Sequence, residues 1–404
     1  MSVLRRLVAL HDERPAFVAL SALTLVALAI YPLVDWYLRS LGIAPPFRFW
    51  DFGAYSAAVE RWMAGDSLYV QAEGGGYHGS YLYPPVVLLA FAPFVLAFGF
   101  GNAATAWLVC SVAFLWIALQ RLVSALGLSL HLWERVALVP LLVGFHPLLL
   151  SLKLGQTPAA LAAFLTVSAS ASLRGRGYVS GALTAIPGLV KLPYAPAGAH
   201  LLGNRDRFVG AVLGGLALVA ISLLVFGVDA HRTYLDVLAW GIREGSTARS
   251  PRLWLPPYYR PLYGVPHGLA IRLSASLAIV VGVLRAAPDA TRETTALGFA
   301  AVPLLAPLTY AYYFVAALPA VVLLVAAELD RPDGRPALPV LGLLLLHLHS
   351  YGLGGAGEVA PEWIPGLLLQ PGLFGNLLLV GLAGARVAAA GGPLSVRAIR
   401  SAWE

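Results

Sequence analysis

Apolar runs separated by shorter polar segments recur along the whole chain. Each run is close to the length that a helix needs to cross a bilayer, about 20 apolar residues, and the runs lack the ten-residue alternation of a membrane β-barrel strand. The runs fall at 16–34, 83–100, 102–120, 134–152, 157–173, 178–203, 208–228, 267–285, 294–309, 310–328, 336–351 and 363–390. This pattern predicts an all-α polytopic membrane protein with about 10–12 transmembrane helices.

Two longer polar stretches, 35–82 and 229–266, interrupt the apolar runs. Acidic residues outnumber basic ones in the first stretch, whereas several arginines precede the first apolar run. The positive-inside rule therefore places the N-terminus in the cytoplasm, and the lack of a small-residue cleavage signature indicates an uncleaved anchor. We expect one membrane-embedded domain over 1–404, with 35–82 as the first extracytoplasmic loop and 229–266 as the second large loop.

The run at 178–203 conflicts with a simple topology, because arginines flank both of its ends. The positive-inside rule then places both flanks in the cytoplasm, so the run could not cross the membrane in one pass. Pro187, Pro193 and Pro196 surround Lys191, and they could break the run into a re-entrant hairpin or two half-helices. A single kinked span with one basic flank on the unexpected side is the alternative, and the sequence leaves both open.

The composition supports a membrane protein and excludes several other classes. Of the 404 residues, 59% are apolar and 12% are charged, and the mean hydropathy is +0.77. About a quarter of the residues of a soluble enzyme are charged, and a disordered chain is far less apolar. The net charge of +7 fits cytoplasmic loops that face anionic lipid, and no basic strip with interleaved aromatic residues indicates a nucleic-acid partner.

Cysteine and histidine positions give no support for a metal or another cofactor. The single cysteine, Cys110, excludes an intrachain disulfide. His347 and His349 are two residues apart on a predicted helix, so they face different directions and make a poor metal pair. We therefore expect no cofactor.

The most informative polar segment is FWDFGAYSAAVERWMAGDSLYV, residues 49–70. Its apolar residues recur at helical spacing, Asp51 suits the N-cap and Gly65 suits the C-terminal stop, which together predict a short amphipathic helix on the membrane surface. A carboxylate at the tip of such a helix could take a proton from a hydroxyl that arrives from the lipid headgroups. The plainer alternative is that Asp51 only caps the helix.

Several short segments resemble one known family. They are the Asp51–Tyr55 pair with GDSLY at 65–69, YPP at 83–85, LGQTPAALAAFL at 154–165, SGALTAIPGLVKLPYAP at 180–196 and APLTYAYYFVAALP at 306–319. In order and spacing they resemble glycosyltransferase family 87, a family of polytopic GT-C enzymes that includes mycobacterial phosphatidylinositol-mannoside mannosyltransferases. The resemblance covers about residues 45–320 and implies a GT-C type bundle with an amphipathic helix in the first outer loop.

The resemblance implies a reaction as well as a fold. Such enzymes take a sugar from a polyprenyl- or dolichyl-phosphate carrier at the outer face of the membrane, with an acidic residue of the first outer loop as base. By position that residue is Asp51, which would activate an acceptor hydroxyl for a single inverting displacement. The implied protein is a hexosyltransferase of the plasma membrane with its active site outside. Mannose is implied by the best-known members, and a lipid-linked or surface glycan is the implied acceptor.

The same resemblance suggests which residues bind the donor. A leaving phosphate needs positive charge or hydrogen-bond donors, and Lys191, Gln156 and Arg260 are the candidates. Each has a plainer explanation: Lys191 could extend to the interface, Gln156 could merely begin a helix, and Arg260 could belong to an interfacial belt. Lys153 is a weaker candidate, because a cytoplasmic anchor at a helix end explains it.

Tyr55, Tyr83 and Tyr312 are the candidate contacts for sugar and acceptor, since aromatic rings stack on the apolar faces of sugars. Tyr312 stands where the mycobacterial branch carries a histidine, and a tyrosine is not cationic near neutral pH. This difference leaves specificity for phosphatidylinositol mannosides unsupported.

A transporter or flippase of lipid-linked sugars is the alternative function. Its hallmarks would be inverted repeats with paired broken helices, whereas the sequence offers one such segment, 178–203. The two functions differ in a testable way, because the enzyme needs Asp51 to share a cavity with Lys191, Gln156 and Arg260.

Overall fold

The computed structural model describes residues 7–73, 75–77, 80–241, 258–259, 261–262, 265–286, 290–306, 309–351, 364 and 366–391. The α-helices of this part are α1 (Pro15–Ser40), α2 (Trp50–Ala64), α3 (Leu88–Ala97), α4 (Phe100–Ala125), α5 (Leu132–Gly144), α6 (His146–Leu154), α7 (Pro158–Leu173), α8 (Gly177–Val190), α9 (Arg205–Trp240), α10 (Gly268–Arg285), α11 (Thr291–Leu305), α12 (Leu318–Leu329), α13 (Ala337–His347) and α14 (Pro371–Ala389), with a short turn at His349–Tyr351. Segments of 3₁₀ helix lie at Pro85–Val87, Leu192–Gly203, Ala311–Ala317 and Gly366–Leu369. Two short strands, β1 (Tyr258–Tyr259) and β2 (Thr309–Tyr310), pair antiparallel.

Six of the described helical segments are long and apolar enough to cross a bilayer: α1, α4, α9, α10, the segment Ala311–Leu329 and α14. The pair α5 and α6, bent by 70° at a break, is a seventh candidate. The prediction of an all-α polytopic membrane protein is confirmed. The spans are fewer than the apolar runs because four runs form helices of 10–17 residues and a fifth, 294–309, forms the 15-residue helix α11. These helices are too short to cross a bilayer alone.

Residues 177–203 form a re-entrant hairpin, which resolves the topological conflict in the sequence. α8 ends at Val190, the chain turns at Lys191, and the 3₁₀ segment Leu192–Gly203 returns. The two flanks lie together, since a Cβ built on Gly177 would be 2.6 Å from the Cβ of Asp206. Both arginine-bearing flanks are therefore at one end of the bundle, and the alternative of a single kinked span is wrong.

The two legs of the hairpin match in length. α8 has 14 residues, and the 3₁₀ leg has 12. At the usual rise per residue these lengths are about 21 Å and about 24 Å, so the turn lies deep in the bundle. Lys191, which occupies this turn, is therefore an interior residue and is 5% exposed.

Small side chains allow the central helices to pack closely around the hairpin. α7 is rich in alanine and serine and is buried on nearly every face. The hydroxyl of Ser168 on α7 makes hydrogen bonds of 3.0 Å and 2.6 Å with the hydroxyls of Ser180 and Thr184 on α8. Close backbone approach with hydroxyl contacts is the usual way in which helices associate inside a membrane.

Helix α1 extends into the first predicted polar stretch. It continues to Ser40 because its polar residue Asp35 is buried and paired rather than solvated. Asp35 accepts a hydrogen bond from Nε of Arg39 at 3.0 Å and forms an ion pair with Lys153. Residues 35–40 are therefore helical.

Helix α9 likewise extends into the second predicted polar stretch and ends at Trp240. It bends at Gly227, whose φ of 72° and ψ of 176° are not helical. The ring of His231 spans the bend, with Nδ1 2.6 Å from the carbonyl oxygen of Gly227 and Nε2 2.8 Å from the hydroxyl of Ser222. Residues 229–240 are therefore helical. They pack against the first polar stretch, where the ring of Trp240 contacts that of Tyr77.

Candidate functional site

The helix predicted in the first polar stretch is α2. Its end is as predicted, because Gly65 adopts a left-handed φ of 81° and closes the helix. Its start differs: Phe49, with a φ of 50°, occupies the N-cap position, so the prediction of Asp51 as the N-cap is wrong. Asp51 lies in the first turn, where the helix dipole favours a carboxylate. Its side chain is thus available for a partner on another segment.

Backbone contacts hold the start of α2 against the end of α6. The N–H groups of Arg48 and Phe49 both donate to the carbonyl oxygen of Lys153, at 3.2 Å and 3.0 Å. Gly155 follows α6 with a φ of 74°, and a Cβ there would lie 2.6 Å from the Cβ of Phe52. Only glycine combines this conformation with so close an approach. The first turn of α2 is thereby fixed beside the turn that follows α6.

Gln156 bridges Asp51 and Lys191. Its Nε2 donates to Oδ2 of Asp51 at 2.8 Å, and its Oε1 accepts from Nζ of Lys191 at 2.7 Å. The hydroxyl of Tyr55 and the backbone N–H of Thr157 also donate to Oε1, at 3.2 Å and 3.3 Å. Gln156 is 5% exposed, and hydrogen bonds in such a low-dielectric interior are strengthened. One neutral amide therefore connects the carboxylate to the ammonium group.

Three tyrosine rings surround the Lys191 ammonium. Nζ lies 5.2 Å from the ring centroid of Tyr83 and 5.4 Å from the centroids of both Tyr312 and Tyr313. Aromatic faces at this distance attract a cation, and the attraction is larger where water is excluded. We refer to these three rings around Nζ as the tyrosine cage. The cage lets a lysine remain in the interior without a carboxylate in direct contact.

The electrostatic setting of Asp51 suits a base. Burial raises the pKa of Asp51 above its ordinary value, while the hydrogen bond from Gln156 and the charge of Lys191 act in the opposite direction. A general base works best when its pKa approaches the working pH. The carboxyl uses Oδ2 for Gln156, and among the described residues Oδ1 has no hydrogen-bond donor.

Tyr55 fixes the position of the Gln156 amide from the side of α2. Its ring stacks on that of Phe91, with centroids 4.1 Å apart and an interplanar angle of 16°. The ring of Tyr83 lies 5.3 Å from that of Tyr55. Burial, followed by the neighbouring Tyr83, raises the pKa of Tyr55, so its hydroxyl stays protonated and donates to Gln156.

Most of the candidate residues from the sequence lie together. The set that converges consists of Asp51, Tyr55, Tyr83, Gln156, Lys191 and Tyr312. We refer to it as the Asp51–Lys191 cluster. Arg260 lies outside the described residues.

Three further tyrosines belong to this region and were missed by sequence reasoning. Tyr310 stacks on Tyr312 at 5.0 Å, Tyr312 stacks on Tyr313 at 5.4 Å, and Tyr194 lies 5.6 Å from Tyr313. A usable signal was present, because Tyr310 and Tyr313 flank Tyr312 in one segment and Tyr194 follows Lys191 in KLPY. Sequence alone does not say which of several neighbouring tyrosines faces a site, since the 3₁₀ geometry sets their directions.

Lys153 is not part of the Asp51–Lys191 cluster. It is 5% exposed and forms an ion pair with Asp35 of α1. It also lies at the same end of the bundle as Asp51, because its carbonyl accepts the N–H groups that precede α2. A cytoplasmic anchor and an extracytoplasmic Asp51 are therefore incompatible, and the structure assigns Lys153 a buried pairing role instead.

The described residues contain no group of three or more His, Cys, Asp or Glu side chains arranged to hold a metal ion. The expectation that the protein needs no cofactor remains a prediction.

Comparisons with known proteins complete the description of the site. A family model described as glycosyltransferase family 87 matches residues 81–307. The chain is similar to the polyprenol-phosphate-mannose-dependent alpha-(1-2)-phosphatidylinositol pentamannoside mannosyltransferase of Mycobacterium tuberculosis (strain CDC 1551 / Oshkosh), with 28% identity over 289 residues, 68% of this chain and 64% of the relative. The protein of the same name from Mycolicibacterium smegmatis (strain ATCC 700084 / mc(2)155) is 29% identical over 174 residues, 42% of this chain and 41% of the relative. No solved structure matches the chain at a significant level.

The conclusions that these matches support depend on how much of this chain and of its relatives they cover. The family match covers more than half of the chain, and it includes Tyr83, Gln156 and Lys191, whereas Asp51 and Tyr312 lie outside the matched residues. The chain spans less than two thirds of the length of the curated relatives. The family resemblance predicted from the motifs is confirmed, and the roles of individual residues are not tested by it.

Proposed function

Since the chain belongs to glycosyltransferase family 87, we propose that it transfers a hexose from a polyprenyl-phosphate carrier to a hydroxyl of a lipid-linked or surface glycan. Mannose is the proposed hexose, because the similar mycobacterial proteins are named for polyprenol-phosphate-mannose dependence. The observation that carries the proposal is the Gln156 bridge, which joins a carboxylate suited to a base with an ammonium suited to a phosphate.

The proposed reaction is one inverting displacement with Asp51 as the base. Asp51 accepts the proton of the acceptor hydroxyl through Oδ1, and the hydroxyl oxygen forms a bond to the anomeric carbon. The bond from that carbon to the phosphate oxygen breaks at the same time, and its electron pair leaves with polyprenyl phosphate. One carboxylate suffices for this step, because a phosphate leaving group needs little protonation.

Lys191 and Gln156 would serve the leaving group and the base. The ammonium of Lys191 would oppose the negative charge that grows on the phosphate, and stabilisation of developing charge is usually the largest contribution to catalysis. Gln156 orients the carboxylate of Asp51 and is itself held by Lys191, so binding of the phosphate and activation of the hydroxyl are coupled through one amide. We assign contacts with the sugar and the acceptor to Tyr55, Tyr83 and Tyr312, since Tyr55 donates to Gln156 and Nζ of Lys191 lies over the rings of Tyr83 and Tyr312.

The proposed site faces the extracytoplasmic side of the plasma membrane. The acidic first polar stretch carries Asp51, and the arginine-flanked ends of the hairpin lie at its opposite end, away from Lys191. The positive-inside rule assigns the arginine-flanked end to the cytoplasm. A lipid carrier and a lipid-linked acceptor could then both reach the site from the outer leaflet.

The test is transfer by the purified protein in detergent, from synthetic polyprenyl-phosphate mannose to lipid extracts of the source organism. Wild type is compared with Asp51→Asn and with Asp66→Asn, which makes the same chemical change at an exposed carboxylate of the same stretch. We expect Asp51→Asn to lose about a hundredfold or more of the rate, the usual share of general base catalysis, and Asp66→Asn to keep it. Thermal melts of all three proteins establish that each is folded.

Two results would overturn parts of this proposal. Full activity in a folded Asp51→Asn protein would remove Asp51 from the chemistry while leaving a transferase. No transfer by wild type from mannose or other hexose donors would favour the alternative of a transporter or flippase, which flipping of the same lipid in proteoliposomes would then measure.

A further inference from the structure

The hydroxyl of Tyr194 is an unpaired polar group in the interior. Tyr194 is 1% exposed, and its hydroxyl has no hydrogen-bond partner among the described residues. Two other buried tyrosines of this region have partners, since Tyr55 donates to Gln156 and Tyr81 donates to the carbonyl of Pro84 at 2.8 Å. A buried tyrosine hydroxyl normally finds a partner, so an orphan beside a proposed binding site indicates that a ligand supplies it.

Tyr194 lies next to the tyrosine cage that surrounds the Lys191 ammonium. Its backbone N–H donates to the carbonyl of Lys191 at 2.8 Å, which fixes the two residues together at the turn of the hairpin. Its ring lies 5.6 Å from that of Tyr313, a member of the tyrosine cage. A tyrosine hydroxyl is neutral near neutral pH, so this group can donate its proton to an anionic acceptor.

Lys191 also has unused donor capacity on this side. An ammonium has three N–H donors, and among the described residues Gln156 Oε1 is the acceptor recorded for them. The cage rings attract the charge but accept no conventional hydrogen bond at these distances. The turn of the hairpin therefore presents an O–H and at least one N–H that lack oxygen acceptors.

We propose that Tyr194 and Lys191 together bind the phosphate of the polyprenyl-phosphate donor, each donating to a non-bridging phosphate oxygen. The inference rests on the proposed function and adds a phosphate contact at Tyr194. A phosphate ester suits this pair because it offers several anionic oxygen acceptors, one for each donor, and hydrogen bonds to an ionised acceptor are the strong ones. The ring of Tyr194 remains packed without a ligand, so only its hydroxyl depends on the phosphate.

Tyr194→Phe separates this role from a structural one. If the hydroxyl binds phosphate, its removal deletes an unpaired polar atom, so the ligand-free protein melts at the same temperature or higher while its affinity for the phosphate falls. If the hydroxyl instead supports the fold, its removal lowers the melting temperature and leaves ligand binding unchanged. Tyr81→Phe is the matched control, because its buried hydroxyl has a protein acceptor and its loss should cost stability only.

The experiment measures thermal melts and dissociation constants of wild type, Tyr194→Phe and Tyr81→Phe with polyprenyl phosphate, polyprenol and inorganic phosphate as probes. We expect polyprenyl phosphate to stabilise wild type and Tyr81→Phe and to bind Tyr194→Phe about tenfold or more weakly. Weak binding of inorganic phosphate that Tyr194→Phe also loses would support the phosphate contact without the lipid. Steady-state kinetics should show a raised KM of Tyr194→Phe for the donor and an unchanged KM for the acceptor.

Three outcomes would overturn the inference. The first is equal binding of polyprenyl phosphate by Tyr194→Phe and wild type, which leaves the proposed transferase in place. The second is equal binding of polyprenol and polyprenyl phosphate by wild type, which assigns the affinity to the chain rather than to the phosphate. The third is a wild type that neither binds polyprenyl phosphate nor transfers a sugar, which overturns the proposed function as well.

Discussion

The side-chain amide of Gln156 can face only one way. Its oxygen is surrounded by donors, the ammonium of Lys191 and the hydroxyl of Tyr55, so its nitrogen must face the Asp51 carboxylate. An amide is the one common side chain that accepts on one side and donates on the other in this geometry. The residue at this position therefore sets the relation between base and cation.

Gln156→Glu should abolish the hydrogen bond from residue 156 to Asp51, although glutamate has nearly the same shape as glutamine. The new carboxylate would lie beside that of Asp51, and two carboxylates in one site repel each other and disturb both protonation states. We expect the single-turnover rate to fall by about a hundredfold or more. Gln71→Glu makes the same change at an exposed position of the first polar stretch and should retain the rate. Retention of the rate by Gln156→Glu would contradict a role for the bridge.

The pH dependence of transfer should report Asp51. Because the base must be ionised, the rate should fall as pH decreases through the pKa of Asp51, which burial raises above its usual value. Gln156→Ala removes a hydrogen bond that lowers this pKa, so the acid limb of the profile should move to higher pH. The measurement is kcat/KM against pH for both proteins. An acid limb that does not move, or that moves to lower pH, would contradict the assignment.

At the residue scale, the sequence identified the polar residues of the site but not several of the tyrosines that surround them. Asp51, Gln156 and Lys191 are conspicuous because polar groups are rare in or beside apolar runs. The pairing of Asp35 with Lys153 was not predicted, since the partners lie 118 residues apart and each had a local explanation. Tyr194 and Tyr313 were missed for a related reason: tyrosine is unremarkable near a membrane interface until its neighbours are known.

At the element scale, the hairpin 177–203 depends on close contact between α8 and α9. A Cβ built on Gly181 would lie 1.8 Å from the carbonyl oxygen of Arg207, whereas a Cβ on Gly188 of the same helix meets nothing within 4 Å. The contact between the two helices therefore leaves no room for a side chain at residue 181, whereas a Cβ at residue 188 would meet no other atom within 4 Å. Glycine at 181 is thus required for packing rather than for its backbone conformation.

Gly181→Ala should therefore destabilise the protein, and Gly188→Ala should not. Overpacking of this kind costs about 1–3 kcal/mol, while alanine in an open helical position gains up to about 1 kcal/mol over glycine. Thermal melts in detergent measure both changes. Equal melting temperatures for the two variants would mean that α8 and α9 do not pack as described.

The sequence predicted the elements better than it predicted their ends. The amphipathic helix α2 and its stop at Gly65 followed from spacing and from glycine chemistry. The start of α2 did not follow, because the backbone N–H groups before α2 donate to the carbonyl oxygen of Lys153 on another helix. A capping rule considers only neighbouring residues in the sequence, so it does not include such a partner. For the hairpin, three prolines predicted a break, but the choice between a kink and a return required the contact of both flanks.

At the scale of the whole molecule, the topology can be tested by labelling single cysteines in a Cys110→Ser background. Arg174→Cys and Arg205→Cys are exposed positions on the two flanks of the hairpin, and Ser67→Cys is exposed in the first polar stretch. We expect an impermeant maleimide added to intact cells to label Ser67→Cys and to spare both flanking positions until the membrane is opened. Labelling of one flank alone from outside would contradict the hairpin.

Among the described residues, fewer helices are long and apolar enough to cross a bilayer than the sequence has apolar runs. Hydropathy counts apolar runs, and it cannot distinguish a helix that faces lipid from a short one enclosed by other helices. α7 illustrates this, because it is apolar, only 16 residues long and buried on nearly every face. Its backbone is satisfied within the bundle, so it has no need to reach both surfaces of the membrane.

Because the two legs of the hairpin are similar in length, the number of residues in α8 sets the position of Lys191 at the turn. One residue added to α8 would raise the turn by about 1.5 Å and rotate it by about 100°, which would remove Lys191 from the reach of Gln156. Insertions and deletions between Arg176 and Lys191 should therefore be selected against far more strongly than substitutions on the same leg. In an alignment of relatives that share this chemistry, the interval between these residues should contain no gaps even at positions where the amino acids differ.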